Sequence, residues 1–198
     1  MPAAELWALL AFSTAMAFTP GPNTTLSTAL AANGGLRAAM PFVVSVPVGW
    51  GLLLLACVGG LGALLAAAPM LRGTIQVLGL AYMLWLAWRL ARASTLGQAR
   101  DGLRVGFWQG VALQFVNIKA WMNALLITAG WVTVGPDWSS RVAIVLPLML
   151  AYAFCSNLTY ALVGSTLRHW LAQGRRLLMF NRALAAVLLA TAIWMARL

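Results

Sequence analysis

Two stretches bring polar and helix-breaking residues into otherwise apolar runs: Thr19-Pro20-Gly21-Pro22-Asn23 and Asn117-Ile118-Lys119. Pro20 and Pro22 each remove a backbone donor and crowd a preceding carbonyl, and Gly21 between them lacks side-chain restraint, so no regular helix continues through them. Carbonyls released before such a break can accept from an ammonium group. The amides that open the next half-helix, from Asn23 and Thr24 onward, carry partial positive charge suited to a carboxylate. Lys119 is the only lysine in the protein. It lies about halfway along its apolar run, too far from either end for its stem to reach water, and a lysine there is costly unless it faces the protein interior or a water-filled cavity. Gln114 and Asn117 lie within a helical turn of it. A competing reading makes the first break a packing kink and Lys119 a structural cation bonded to the released carbonyls. The polar run Asn23-Thr24-Thr25-Ser27-Thr28 and the cost of burying Lys119 favour a binding site instead.

A second polar group, Ser156, Asn157 and Tyr160, interrupts a later apolar run, with Asn157 and Tyr160 three residues apart on one helix face. Interhelical hydrogen bonding explains such a group as well as solute binding does.

These residues need apolar helices to hold them. Of 198 residues 63% are hydrophobic and 8% charged, with a mean hydropathy of +0.88, which describes a polytopic membrane protein. At about 20 residues per crossing the apolar runs give six spans, near 6–31, 38–66, 71–88, 105–132, 142–167 and 177–196. The second and fifth are long, which predicts tilt or a kink at Pro47 and Pro147. Irregular backbone at membrane depth is tolerated only where protein or water satisfies it, so two breaks at matching depths mark a transporter's binding site. An offset of about 97 residues sets Asn117 opposite Pro20, and an odd number of spans per half inverts the second half relative to the first.

The net charge of +10 is a topology signal rather than a nucleic-acid surface, because the arginines sit in short loops. Arg37, Arg89, Arg92, Arg100, Arg104, Arg168, Arg175, Arg176 and Arg182 fall on one face and Arg72, Arg141 and Arg197 on the other. The richer face is expected in the cytoplasm, together with the loop 93–104, and both termini outside. Glu5, Asp101 and Asp137 lie at the terminus or in loops, so no carboxylate falls within a span. His169 is the only histidine, and no H-E-x-x-H, G-x-S-x-G or P-loop is present. Cys57 and Cys155 sit mid-span and fit no zinc spacing. No metal, cofactor or catalytic residue is expected, and the chain does not read as an enzyme.

Over essentially its whole length the chain resembles the LysE/RhtB family of amino-acid exporters. The matching residues are Thr19-Pro20-Gly21-Pro22-Asn23, Leu78-Gly79-Leu80-Ala81-Tyr82-Met83-Leu84-Trp85-Leu86-Ala87 and Gln114-Phe115-Val116-Asn117-Ile118-Lys119-Ala120. The stretch 112–119 and Asn157 are most similar to the cysteine/O-acetylserine exporter branch. One departure is Ile118, where the family usually shows proline, which predicts a softer second break. The resemblance implies export driven by the proton gradient.

The expected protein is therefore an all-α integral membrane protein of the bacterial inner membrane. It has six transmembrane helices arranged as two inverted three-helix repeats, with one domain over 1–198 and halves near 1–95 and 104–198. The substrate set is Pro20, Gly21, Pro22, Asn23, Thr24, Gln114, Asn117, Lys119, Asn157 and Tyr160, with Lys119 also the coupling candidate. The absence of a mid-span carboxylate favours a small neutral amino acid over a cationic one. Its carboxylate would meet Lys119 and the amides near Asn23, and its ammonium group the released carbonyls or the amide oxygens of Asn117 or Asn157. Membrane lipid is the other partner, nucleic acid is not one, and a homodimer is compatible with the sequence. The alternative is a membrane scaffold or assembly factor that moves no solute.

Overall fold

The computed structural model describes residues 1–93, 104–134 and 136–197, and among them regular structure is entirely helical. In chain order the helices are α1 (Ala3–Phe18), α2 (Pro22–Gly34), α3 (Leu36–Ala56), α4 (Gly62–Ala67), α5 (Pro69–Arg92), α6 (Phe107–Val116), α7 (Ile118–Ile127), α8 (Trp138–Leu171) and α9 (Arg176–Ala196). Short π-helical turns, Cys57–Leu61 and Thr128–Val132, follow α3 and α7.

Helices Leu36–Leu64, Pro69–Arg92, Trp138–Leu171 and Arg176–Ala196 are long and apolar enough to cross a membrane. The pair α6 and α7, bent by 70°, adds a fifth crossing if counted as one. Ala3–Phe18 is apolar but shorter; 16 residues reach about 24 Å against a hydrocarbon thickness of about 30 Å. Of the six expected spans, the first is thus divided into α1 and α2, and the others correspond to helices or to the bent pair. The chain runs helically through Pro47 and Pro147. The irregularity of the second span falls instead at Gly60, whose φ of 100° lies in the left-handed region.

Helix starts and stops follow from residue type. Pro20 disfavours helical geometry at the residue before it, and Thr19 is extended at ψ 127°. Pro22 then supplies the fixed φ of a first helical position. Gly35, at φ 85°, is the single residue between α2 and α3, a reversal that residues with a Cβ rarely adopt.

Helix α2 is the axle of the fold. From Thr24 to Asn33 every residue is buried, so its hydroxyls must find partners inside the protein. Thr24 donates to Gly21 O, Thr28 to Thr24 O and Ser27 to Asn157 Oδ1. Alanines 29, 31 and 32 keep it slender, and Gly164 of α8 lies so close to the Thr28 backbone that a Cβ there would collide with it. Small residues permit this approach where helices gain little from hydrophobic burial. Among the other glycines, Gly49 and Gly110 admit close neighbours, whereas a Cβ on Gly59 or Gly60 would meet nothing within 4 Å among the described residues.

Two apolar clusters stack along the bundle. One joins α2, α3, α5, α6 and α9 through Leu26, Leu30, Phe42, Leu86, Leu113 and Leu188. The other joins α1, α3, α7 and α8 through Leu9, Trp50, Leu53, Trp121, Ile127 and Met149.

Interhelical contacts place the ends. Asn33 of α2, Asn181 of α9 and Ala93 after α5 meet at one end, where Arg168 also approaches Gly35. At the other end Arg141 pairs with Glu5 at 2.8 Å, Trp131 Nε1 donates to Glu5 O, and Gln76 donates to Met195 O. Trp131 is part of this clamp and packs on Phe12. Trp7, Trp108, Trp138, Trp170 and Trp194 are exposed as anchors should be. Trp85 and Trp88 join them, overlaid by Arg89 and Arg92. Arg100 and Asp101 lie outside the described residues.

Candidate solute-binding site

Both breaks open into one cavity. Thr19, Gly21, Pro22, Asn23 and Thr24 line it from the first, and Asn117, Lys119, Ala120 and Asn123 from the second. Helix α1 contributes Ser13, Met16 and Ala17, α3 contributes Val46 and Trp50, and α8 contributes Met149, Tyr152, Ala153, Ser156 and Asn157. The cavity lies where the two apolar clusters meet.

The second break is sharp without a proline. Asn117 is extended (φ −91°, ψ 101°) and ends α6 while opening α7, its side chain accepting from Lys119 N at 3.1 Å. An asparagine N-cap satisfies a first-turn amide that a helix otherwise leaves orphaned, and so stabilises the 70° bend. Trp121 Nε1 takes Phe115 O at 2.8 Å, supplying a partner for a carbonyl at the end of α6.

Lys119 bridges the breaks. Its Nζ donates to Thr19 O at 2.8 Å, and a Cβ on Gly21 would lie 3.1 Å from both its Cδ and its Nζ. The backbone at Gly21 is extended, φ −171°, so what glycine contributes there is room for the Lys119 side chain rather than conformational freedom. An ammonium group carries three donors, and among the described residues Lys119 Nζ has one acceptor, Thr19 O. Two N-termini, those of α2 and α7, adjoin the same cavity, whose lining includes no carboxylate. The local field therefore favours an anionic group.

The remaining polar residues divide into those that hold the breaks and those that face the cavity. Asn23 and Gln114 exchange amide hydrogen bonds at 2.8 and 3.2 Å, and Asn117 Nδ2 donates to Asn23 Oδ1 at 3.5 Å. Gln114 is wholly buried and lies behind the cavity wall. Pro20 is exposed and outside the lining. Tyr160 OH donates to Phe18 O at 2.8 Å and also lies outside the lining. Ser156 donates to Ala17 O at 2.5 Å. The carbonyls released after α1 are therefore engaged by Ser156, Tyr160 and Lys119, at 17, 18 and 19 respectively. Eight of the ten expected substrate residues thus come together as lining or as direct partners of lining residues; Pro20 and Tyr160 stand at the rim of the break.

Asn123, Trp50, Met149, Ser13, Met16 and Tyr152 line the cavity but were not expected to. For Asn123 a signal existed: it follows Lys119 by four residues, which places both on one face of α7. The others carry no sequence signal, since a methionine or tryptophan in an apolar run looks the same whether it faces lipid or a cavity.

An apolar bundle whose two broken helices enclose a singly cationic cavity has the architecture of a membrane solute carrier. The model of the LysE type translocator family matches residues 14–197, and the chain belongs to that family. It is 31% identical over 190 residues to a cysteine/O-acetylserine efflux protein of Klebsiella pneumoniae subsp. pneumoniae, covering 94% of each chain. Proteins of the same description from Salmonella typhimurium and Escherichia coli K12 are 30% and 29% identical, over 89% of this chain and 90% of theirs. No solved structure matches the chain.

Proposed function

We propose that the protein is an inner-membrane secondary transporter that exports small neutral amino acids, of the cysteine and O-acetylserine type, by alternating access. The observation that carries this reading is the convergence of both helix breaks on a cavity with Lys119 as the only charged residue among its described lining residues. The relatives named for efflux of cysteine and O-acetylserine supply the substrate class. The cavity measures about 80 Å³, several times the roughly 10–15 Å³ that a single water needs.

In this reading the substrate carboxylate binds the free donors of Lys119 and the first-turn amides of α2. Asn23, Thr24, Asn117 and Asn157 shape the polar wall, Gly21 and Pro22 keep the break open, and Gln114, Pro20 and Tyr160 hold it in register. Lys119 is also the residue through which a proton gradient would act, as it is the one charged side chain among the described lining residues. Helix α1 carries, beside its apolar packing, polar contacts to α8 that can be exchanged as it moves: Glu5 with Arg141, Ser13 with Met149 and Thr14 with Tyr152. The six-span inverted repeat counts α1 with α2 and α6 with α7 as single crossings.

Purified protein in proteoliposomes is expected to release preloaded labelled O-acetylserine and cysteine, faster under an imposed proton gradient. Vesicles that retain both solutes as protein-free vesicles do would leave a scaffold as the better reading.

Orientation follows from the arginine-rich end, which belongs in the cytoplasm, with both termini periplasmic. A Gln98→Cys variant, in the loop outside the described residues, is expected to react with an impermeant thiol reagent only after cells are opened. Labelling in intact cells would reverse the orientation.

A further inference from the structure

Among the side-chain amide oxygens of the cavity-lining residues, one has nothing to accept. Among the described residues, Asn123 Oδ1 is buried and has no hydrogen-bond partner. The other amide oxygens of the lining are all engaged. Asn23 Oδ1 receives Gln114 and Asn117, Asn117 Oδ1 receives Lys119 N, and Asn157 Oδ1 receives Ser27. Three carbonyls at the first break are engaged as well, Ala17 O by Ser156, Phe18 O by Tyr160 and Thr19 O by Lys119. A buried acceptor left unpaired costs its full desolvation, and native proteins keep such atoms where a ligand or water completes them.

Resting on the transport reading above, we infer that Asn123 is the substrate-ammonium acceptor and makes the site selective for a free α-amino group. Asn123 and Lys119 stand at i and i+4 on α7, so their side chains leave the helix one above the other. One presents ammonium donors and the other an amide oxygen, the complement of a carboxylate and an ammonium carried on one carbon. A neutral acceptor suits an exporter of zwitterions. It rewards the ammonium group without the strong attraction for an added positive charge that a carboxylate would exert. An analogue whose amine is acylated has lost the charge and two of its three donors, and it leaves Asn123 poorly matched.

O-acetylserine and N-acetylserine are isomers that share the carboxylate and differ in whether the amine is free. Dissociation constants of both, measured by calorimetry on the purified protein in mildly acidic buffer, give a preference ratio. Wild type is expected to prefer O-acetylserine by about tenfold to a hundredfold, the range of one charge-assisted hydrogen bond. Asn123→Leu, close in shape, is expected to bring the ratio near one by weakening O-acetylserine alone. Asn123→Asp keeps the acceptor and is expected to retain the preference, with a monodisperse elution profile showing that each variant is folded. An unchanged ratio in Asn123→Leu overturns the assignment, as does an equal loss for both isomers in a folded variant, which would make Asn123 a wall residue. A wild-type protein that binds neither O-acetylserine nor cysteine overturns the transport reading itself, and this inference with it.

Discussion

Lys119→Met protein, reconstituted in vesicles, is expected to release labelled O-acetylserine at about one hundredth of the wild-type rate or less, while purifying as a folded protein. Methionine keeps most of the stem that rests against Gly21 and removes only the ammonium group. What is lost is the donor set for the substrate carboxylate, and two charge-assisted hydrogen bonds at about 1.5 kcal/mol each correspond to roughly a hundredfold. The bond from Nζ to Thr19 O is lost too, which separates two roles for the residue. If Lys119 only tied the breaks together, the variant would lose thermal stability and retain transport in proportion to the protein still folded. Lys119→Arg tests geometry, since a planar guanidinium does not replace a compact ammonium in a confined site, and weak recovery is expected. A folded Lys119→Met protein with wild-type efflux and wild-type response to the gradient would remove Lys119 from binding and from coupling.

The second large effect is on stability and lies away from the cavity. Asn33 and Asn181 exchange amide hydrogen bonds at 2.9 and 3.0 Å, and Asn181 Nδ2 also donates to Ala93 O at 2.8 Å. Both side chains are buried, so this pair ties α2 to α9 and to the end of α5. Asn181→Leu is expected to cost about 2–3 kcal/mol, because it strands Asn33 Oδ1 and the Ala93 carbonyl. Denaturant unfolding in detergent measures it. Replacing both asparagines by leucine is expected to cost less than Asn181→Leu alone, since removing both partners leaves fewer orphaned groups. A double variant as unstable as the sum of the two single ones would show that the asparagines act independently.

Residue chemistry alone made much of the bundle legible. Apolar runs bounded by arginines located every long helix, because a chain in hydrocarbon must satisfy its backbone within each segment. Pro-Gly-Pro announced the first break because proline acts on its own backbone and on the residue before it. The second break was readable in place but not in sharpness. The missing proline at Ile118 suggested a softer bend, whereas the Asn117 side chain caps α7 and supports a bend of 70°.

The site divided along the same line. Lys119 and Asn117 stood out because a lysine in an apolar run is costly wherever it ends up. Whether Tyr160 and Ser156 faced a solute or a carbonyl could not be read from their own helix, since their partners at Phe18 and Ala17 lie about 140 residues away. Asn123 illustrates the same limit from the other side: its i+4 spacing from Lys119 was visible, but an amide oxygen is known to be unpaired only once every neighbour has been placed. The sequence by itself determined the membrane-spanning class, the family, the positions of both breaks and the one cation between them, all properties of a residue and its near neighbours. The tertiary structure decided which carbonyls at the break are engaged, which side chains line the cavity and which lining amide oxygen has no partner, because hydrogen-bond satisfaction is a property of the whole packed arrangement.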